Sequence, residues 1–169
     1  MKTKEIVLVG IFSALSYILY TIQFIKYPQG GGISLLSMLP TMLLSIIYGT
    51  KIGLLSGFIL GFLKLLNGAF IIHPIQFMLD YILANTVLGL CGIFGDKKIN
   101  IFFGGIFVSC LSTLFTILSG SIFFGDYAPE GMNPWIYSII YNVSTTGIEG
   151  ILSTIALLFI PIKRLKHKV

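Results

Sequence analysis

Six apolar stretches, separated by short polar or glycine-bearing breaks, run the length of this chain. The breaks fall at Tyr27 through Gly32, Gly49-Thr50-Lys51, Asn67-Gly68, Gly95 through Lys98, and Gly125 through Pro134. They predict helical spans over 5–26, 34–49, 52–67, 73–94, 99–124 and 134–162. Apolar runs of about 18 residues or more have the length to cross a hydrocarbon layer as a helix. The second and third spans are short for that, which predicts tilt or partial crossing. No long polar block intervenes. The pattern therefore predicts one domain over 1–169: an all-α integral membrane protein, a bundle of six transmembrane helices.

Composition agrees, with 56% of the 169 residues hydrophobic and 10% charged, which leaves no room for a soluble catalytic domain. The net charge of +5 raises nucleic acid as a partner, but its placement argues for membrane orientation instead. With the N-terminus inside, Lys2, Lys4, Lys51, Lys97, Lys98, Lys163, Arg164, Lys166 and Lys168 are all cytoplasmic, nine of the eleven basic residues. Only Lys26 and Lys64 remain toward the outside, where the last loop carries Asp126 and Glu130 and no base. Both termini are thus expected in the cytoplasm. The first apolar run lacks a small-residue cleavage site and reads as a retained helix. Cys91 and Cys110 have no paired spacing and read as buried thiols, and His73 and His167 are too few for a metal site.

Asp80 stands out chemically, because it lies within the apolar run Ile75 through Ala84. A carboxylate at bilayer depth costs at least ~2–3 kcal/mol and marks function by default, usually with a partner. His73, Gln76 and Asp80 follow helical spacing, with Tyr81 beside them. In the last span Trp135, Ser138, Asn142, Thr145 or Thr146, and Glu149 keep the same rhythm, flanked by Tyr137 and Tyr141. The hydroxyls can serve helix–helix hydrogen bonds, Trp135 an interfacial belt, and Glu149 either a structural pair or a functional role. Asp80, Phe124, Trp135, Tyr137 and Asn142 all converge on the outer half. Aromatic faces around one carboxylate suit an organic cation, with cation–π attraction of ~0.5–2 kcal/mol or more once desolvated. The loop Pro28-Gln29-Gly30-Gly31-Gly32 reads either as a connector or as a mobile lid over that site.

Gly53, Gly57 and Gly61 form a small-residue ridge for internal packing, and Gly10 with Ala14 forms a second, on the first span. No G-x-x-x-x-G-K-[ST] phosphate loop is present, so uphill transport by this chain needs ATP hydrolysis elsewhere. An intramembrane enzyme using Asp80 and His73 as acid and base lacks a nucleophile or metal site. A non-transporting scaffold is the third reading.

The segments Pro-Gln-Gly-Gly-Gly-Ile-Ser (28–34), His-Pro-Ile-Gln-Phe-Met-Leu-Asp-Tyr (73–81), Ser-Gly-Ser-Ile-Phe-Phe-Gly-Asp-Tyr-Ala-Pro-Glu-Gly (119–131) and Trp-Ile-Tyr-Ser-Ile-Ile-Tyr-Asn (135–142) resemble the thiamine-specific S component of energy-coupling factor transporters. The likeness covers essentially the whole chain. It implies a non-enzymatic, substrate-binding subunit of a bacterial cell membrane importer. Such a subunit captures thiamine outside and associates with a transmembrane coupling protein and two ATPases. It implies no cofactor beyond the ligand, thiamine. It further implies a pocket lined by Asp80, Tyr81, Gly120, Phe124, Tyr137 and Asn142, and a docking surface at Gly10 and Ala14. Thiamine suits the cage read from the residues, being a permanent thiazolium cation joined to a flat aminopyrimidine. Many relatives have histidine at Thr116 and a basic residue near Ser112; some have tryptophan at Phe124 and glutamate at Asp80. Another vitamin or an aminopyrimidine precursor is the alternative substrate.

Overall fold

The computed structural model describes residues 2–27 and 31–166. Helix α1 (Thr3–Thr21) opens with the Lys2 N–H donating to Glu5 Oε2 at 2.8 Å, which satisfies one of the amides that a helix start leaves free. The helix stops five residues before the end that hydropathy suggests. Gln23–Lys26 instead form strand β1, antiparallel to β2 (Gly32–Ser34) with Lys26 opposite Gly32. Hydropathy cannot separate the two states here, because Phe24 and Ile25 fit a strand as readily as a helix. The strands approach closely: a Cβ at Gly32 would stand 2.3 Å from the Ile25 carbonyl oxygen. Of the glycine loop read as a possible lid, Pro28, Gln29 and Gly30 lie outside the described residues.

Among the described residues, five helices are long and apolar enough to cross a membrane: α1, α3 (Thr50–Asn67), α4 (Pro74–Phe94), α5 (Lys98–Phe123) and α6 (Pro134–Phe159). The shorter α2 (Leu39–Tyr48) makes the sixth member of the bundle. The last span ends at Phe159, just before Pro161, and a short α7 (Ile162–Lys166) follows. At this end Lys166 Nζ meets Asp96 Oδ2 at 3.0 Å, tying α7 to the turn between α4 and α5. The Lys166 ammonium holds the exposed Asp96 carboxyl below its ordinary pKa.

Helices α4 and α6 are irregular in parallel ways. Each starts with proline in its first turn and a side-chain cap: His73 Nδ1 accepts the Ile75 N–H at 3.1 Å, and Asn133 Oδ1 accepts the Trp135 N–H at 2.8 Å. Each then carries a π turn, Met78–Leu83 in α4 and Val143–Gly147 in α6. In α4 the chain tightens afterwards into a 3-10 stretch, Val87–Phe94. The Ser45 hydroxyl of α2 holds that stretch, donating to the Gly89 carbonyl and accepting the Gly92 N–H at 2.8 Å.

The glycine ridge of α3 packs against α4. A Cβ at Gly57 would lie 2.2 Å from the Asn85 carbonyl oxygen, and one at Gly61 would lie 2.3 Å from that of Tyr81. Met42, Leu88, Val108 and Leu157 form the apolar core among α2, α4, α5 and α6, while Val9, Leu44 and Ile52 join α1 to α2 and α3. Ile6, Ile11, Ile18, Phe103, Ile140 and Ile151 face outward, as apolar side chains can where lipid is the solvent.

Candidate functional site

Away from the close-packed core, α3 to α6 part around a cavity of about 480 Å³, closed on one side by Tyr20 and the hairpin. That volume is in the range of small-molecule sites. The two π turns frame it. The first contains Asp80 and Tyr81, and the second directly follows Asn142. A π turn inserts a residue and re-aims the side chains on either side, which is why such turns gather at functional sites. It also leaves carbonyls in search of donors, and Asn85 Nδ2 donates to the Tyr81 carbonyl at 2.7 Å.

Asp80, Tyr81, Gly120, Phe124, Tyr137 and Asn142, the six residues that the resemblance implies for the pocket, all line this one cavity. Gln76 Nε2 donates to Asp80 Oδ2 at 2.8 Å and to the Phe70 carbonyl at 3.3 Å, so the buried amide orients the carboxylate and holds the preceding loop. No lysine, arginine or histidine lies within 4 Å of the Asp80 carboxylate among the described residues; Lys166–Asp96 is the ion pair found there. Asn142 Nδ2 donates to the Ser138 carbonyl at 3.0 Å. Gly120 lets α6 come this near, since a Cβ there would stand 2.3 Å from Ser138 Oγ. The Ser138 hydroxyl in turn donates to the Ile117 carbonyl of α5 at 2.8 Å, the helix–helix role expected of it. Phe124 caps α5 and packs near Phe70 and Tyr127, with centroids 6.1 and 6.0 Å away.

The hairpin is fastened to α6 at two points. Tyr141 Oη accepts the Gly31 N–H at 2.9 Å, with Tyr27 edge-on to the Tyr141 ring. The buried Glu149 accepts the Ser34 N–H at 3.3 Å, the Ser37 N–H at 2.9 Å and the Ser37 hydroxyl at 2.5 Å. These bonds bracket Leu36, which holds a left-handed φ of 57° that a branched side chain disfavours. Glu149 therefore serves structure, while still lining the cavity.

Four sequence readings need correction. His73 caps α4 at its exposed start and stacks on Phe123 with centroids 5.0 Å apart; it does not share the cavity face with Gln76 and Asp80. Proline at position 74 is the local signal for this, because it places His73 before the helix rather than in it. Trp135 is 48% exposed and outside the lining, also at a helix start. Cys110, read as a buried thiol, is exposed on α5, whereas Cys91 is buried as expected. Lys64, read only as a basic residue toward the outside, lines the cavity, with Nζ 4.5 Å from the centroid of the Tyr20 ring. Its position within an apolar run was the available signal. Tyr20, Asn67 and Asn85 also line the cavity and carry no such signal. Ser112 and Thr116 contribute small polar side chains to the wall. Gly10 and Ala14 lie elsewhere, on the exposed face of α1, and a Cβ at Gly10 would meet nothing within 4 Å.

The architecture recurs in ThiT from Listeria monocytogenes, whose solved structure superposes with a TM-score of 0.74 at 26% identity, over 93% of this chain and 97% of that one. Two curated relatives bear the same name, "Thiamine transporter ThiT". The one from Bacillus subtilis (strain 168) is 34% identical over 152 residues, 80% of this chain and 79% of its own. The one from Lacticaseibacillus paracasei is 29% identical over 158 residues, 76% and 79% of the two chains. Their named role is transport rather than catalysis. The family described as thiamine transporter protein (Thia_YuaJ) matches residues 6–169, which takes in the bundle except for the first three residues of α1, together with every described residue of the cavity wall, and the chain belongs to that family.

Proposed function

We propose that this chain is the substrate-binding membrane subunit of an energy-coupling factor importer, and that it takes up thiamine in the cavity between α3, α4, α5 and α6. The observation that carries the reading is Asp80: a carboxylate in an aromatic-walled cavity, with no cation of its own chain within 4 Å among the described residues. A thiazolium supplies the missing positive charge, and Phe124 and Tyr137 offer faces for its rings. Tyr81 and Asn142 orient the ligand by hydrogen bonds. Orientation by basic charge places the cavity toward the outside of the cell and both termini in the cytoplasm. The outward face of α1 around Gly10 and Ala14 docks the transmembrane coupling protein, whose two ATPases supply the energy that a chain without a phosphate loop cannot.

Calorimetric titration of the purified protein tests this directly. Thiamine binds the parent chain, while Asp80→Asn weakens binding at least tenfold, because removing one partner of a buried charge pair costs ~2–5 kcal/mol. Unchanged affinity in Asp80→Asn takes the carboxylate out of the site. Stronger competition by an isolated aminopyrimidine than by thiamine reassigns the substrate to a precursor.

A further inference from the structure

Lys98 and Phe123 close opposite ends of α5, and the cavity described above lies at the Phe123 end. At the other end the α4–α5 turn meets the α6–α7 turn around a second cavity of about 450 Å³. Lys97, Lys98, Lys163 and Arg164 stand around it, all exposed, over an apolar floor that includes the half-buried Leu158 and Ile160, backed by the buried Ile101 and Leu157. Asp96, the one acid in the lining, is already paired with Lys166 at 3.0 Å. None of the four cations has a carboxylate within 4 Å among the described residues. Lys97 and Lys98 also sit at the start of a 26-residue helix, where the macrodipole disfavours positive charge and no acidic side chain fills the first turn.

Four cations without an ion-pair partner among the described residues, set above an apolar floor at the level where two membrane helices begin and end, match a molecule with an anionic head and an apolar body. We propose that this cavity seats the headgroup of an anionic phospholipid, with its phosphate among Lys97, Lys98, Lys163 and Arg164 and its glycerol and upper acyl chain against Leu158 and Ile160. Basic pockets between helices at a membrane surface suit such headgroups. A free inorganic anion would leave the apolar floor unused.

The test is lipid binding to the full-length protein in neutral detergent, followed by native mass spectrometry and thermal melting. Phosphatidylglycerol and phosphatidylcholine of equal chain length are the probes. Phosphatidylglycerol is retained and raises the melting temperature; phosphatidylcholine does neither. Lys97→Gln with Arg164→Gln weakens phosphatidylglycerol binding about twenty-five-fold, at about fivefold per basic residue near the headgroup. Lys4→Gln with Lys51→Gln removes the same charge from exposed positions away from this cavity and leaves binding nearly unchanged. If the first pair melts below the parent in lipid-free detergent, Lys163→Gln alone replaces it, with about a fivefold loss expected. Equal retention of the two lipids, or equal losses in the two double variants, overturns the proposal in favour of diffuse surface charge. Displacement of phosphatidylglycerol by inorganic phosphate overturns it in favour of a free-anion site. If the cavity variants bind lipid normally but fail to assemble with a coupling module, the face is a protein contact and the proposal also fails.

Discussion

Where α2 and α3 meet the 3-10 half of α4, Ser45, Gly53, Gly89 and Gly92 bring three backbones nearly into contact: a Cβ at Gly89 would stand 2.1 Å from the Leu54 nitrogen. At the cavity end α3 to α6 part around π turns, hairpin and polar side chains, and about 480 Å³ stays open. Two helices, α3 and α4, take part in both arrangements. Small residues and regular contacts make a rigid frame, whereas inserted residues and polar side chains keep space open. The ridge at Gly57 and Gly61 joins the two regimes, since it packs on the carbonyls of Tyr81 and Asn85, residues of the cavity wall itself.

This contrast orders the expected effects of substitution. Gly57→Leu is the most severe, because the new side chain would meet main-chain atoms of α4 with no flexible group to give way. Loss of folded, monodisperse protein in detergent is expected, in the class of overpacking changes above ~4 kcal/mol. A normal melting temperature would show that α3 and α4 are not locked at this ridge. Glu149→Gln comes next. It removes the charge that receives the Ser34 and Ser37 donors, a loss of about 1.5–3 kcal/mol for bonds to a charged group. Thermal stability and ligand affinity are expected to fall together, because these bonds hold the segment behind the cavity. Loss of affinity at unchanged stability would instead give Glu149 a direct part in binding. Gly10→Leu has the smallest effect on the isolated protein, since its surroundings are open. Melting temperature and thiamine affinity stay at parent values while cellular uptake falls. Equal loss of all three would point to damage within the bundle rather than at a docking face.

Hydropathy and glycine spacing foretold the six-membered bundle, the shortness of α2 and the packing use of the α3 ridge, because each depends on the average character of many residues; α3, expected to be short as well, reaches 18 residues and is long enough to cross. Asp80 was visible for the opposite reason: a single charge in an apolar run is costly wherever the chain folds. The features that escaped depend on local backbone choices among near-equal states. Residues 23–26 suit helix or strand, and pairing with Gly32–Ser34 decides between them. The rhythm at His73, Gln76 and Asp80 assumes one uniform helix, but Pro74 starts the helix after His73 and a π turn begins at Met78. Lys64 was assigned by topology alone, and only the three-dimensional approach of Tyr20 shows where its ammonium lies.

The π turn at Met78–Leu83 makes chain length a determinant of specificity. Removing one residue there would let α4 regain ordinary winding while the segments on either side keep nearly the same rotational phase, because the π turn takes up its extra residue within a single turn. Gln76 and Asn85 would still address the same lumen, but Asp80 and Tyr81, which lie within the turn, would be re-aimed, although hydropathy and helix count would scarcely change. Two sequences alike in every apolar stripe could thus recognise different cargo through a one-residue difference in this segment, without altering a single wall side chain.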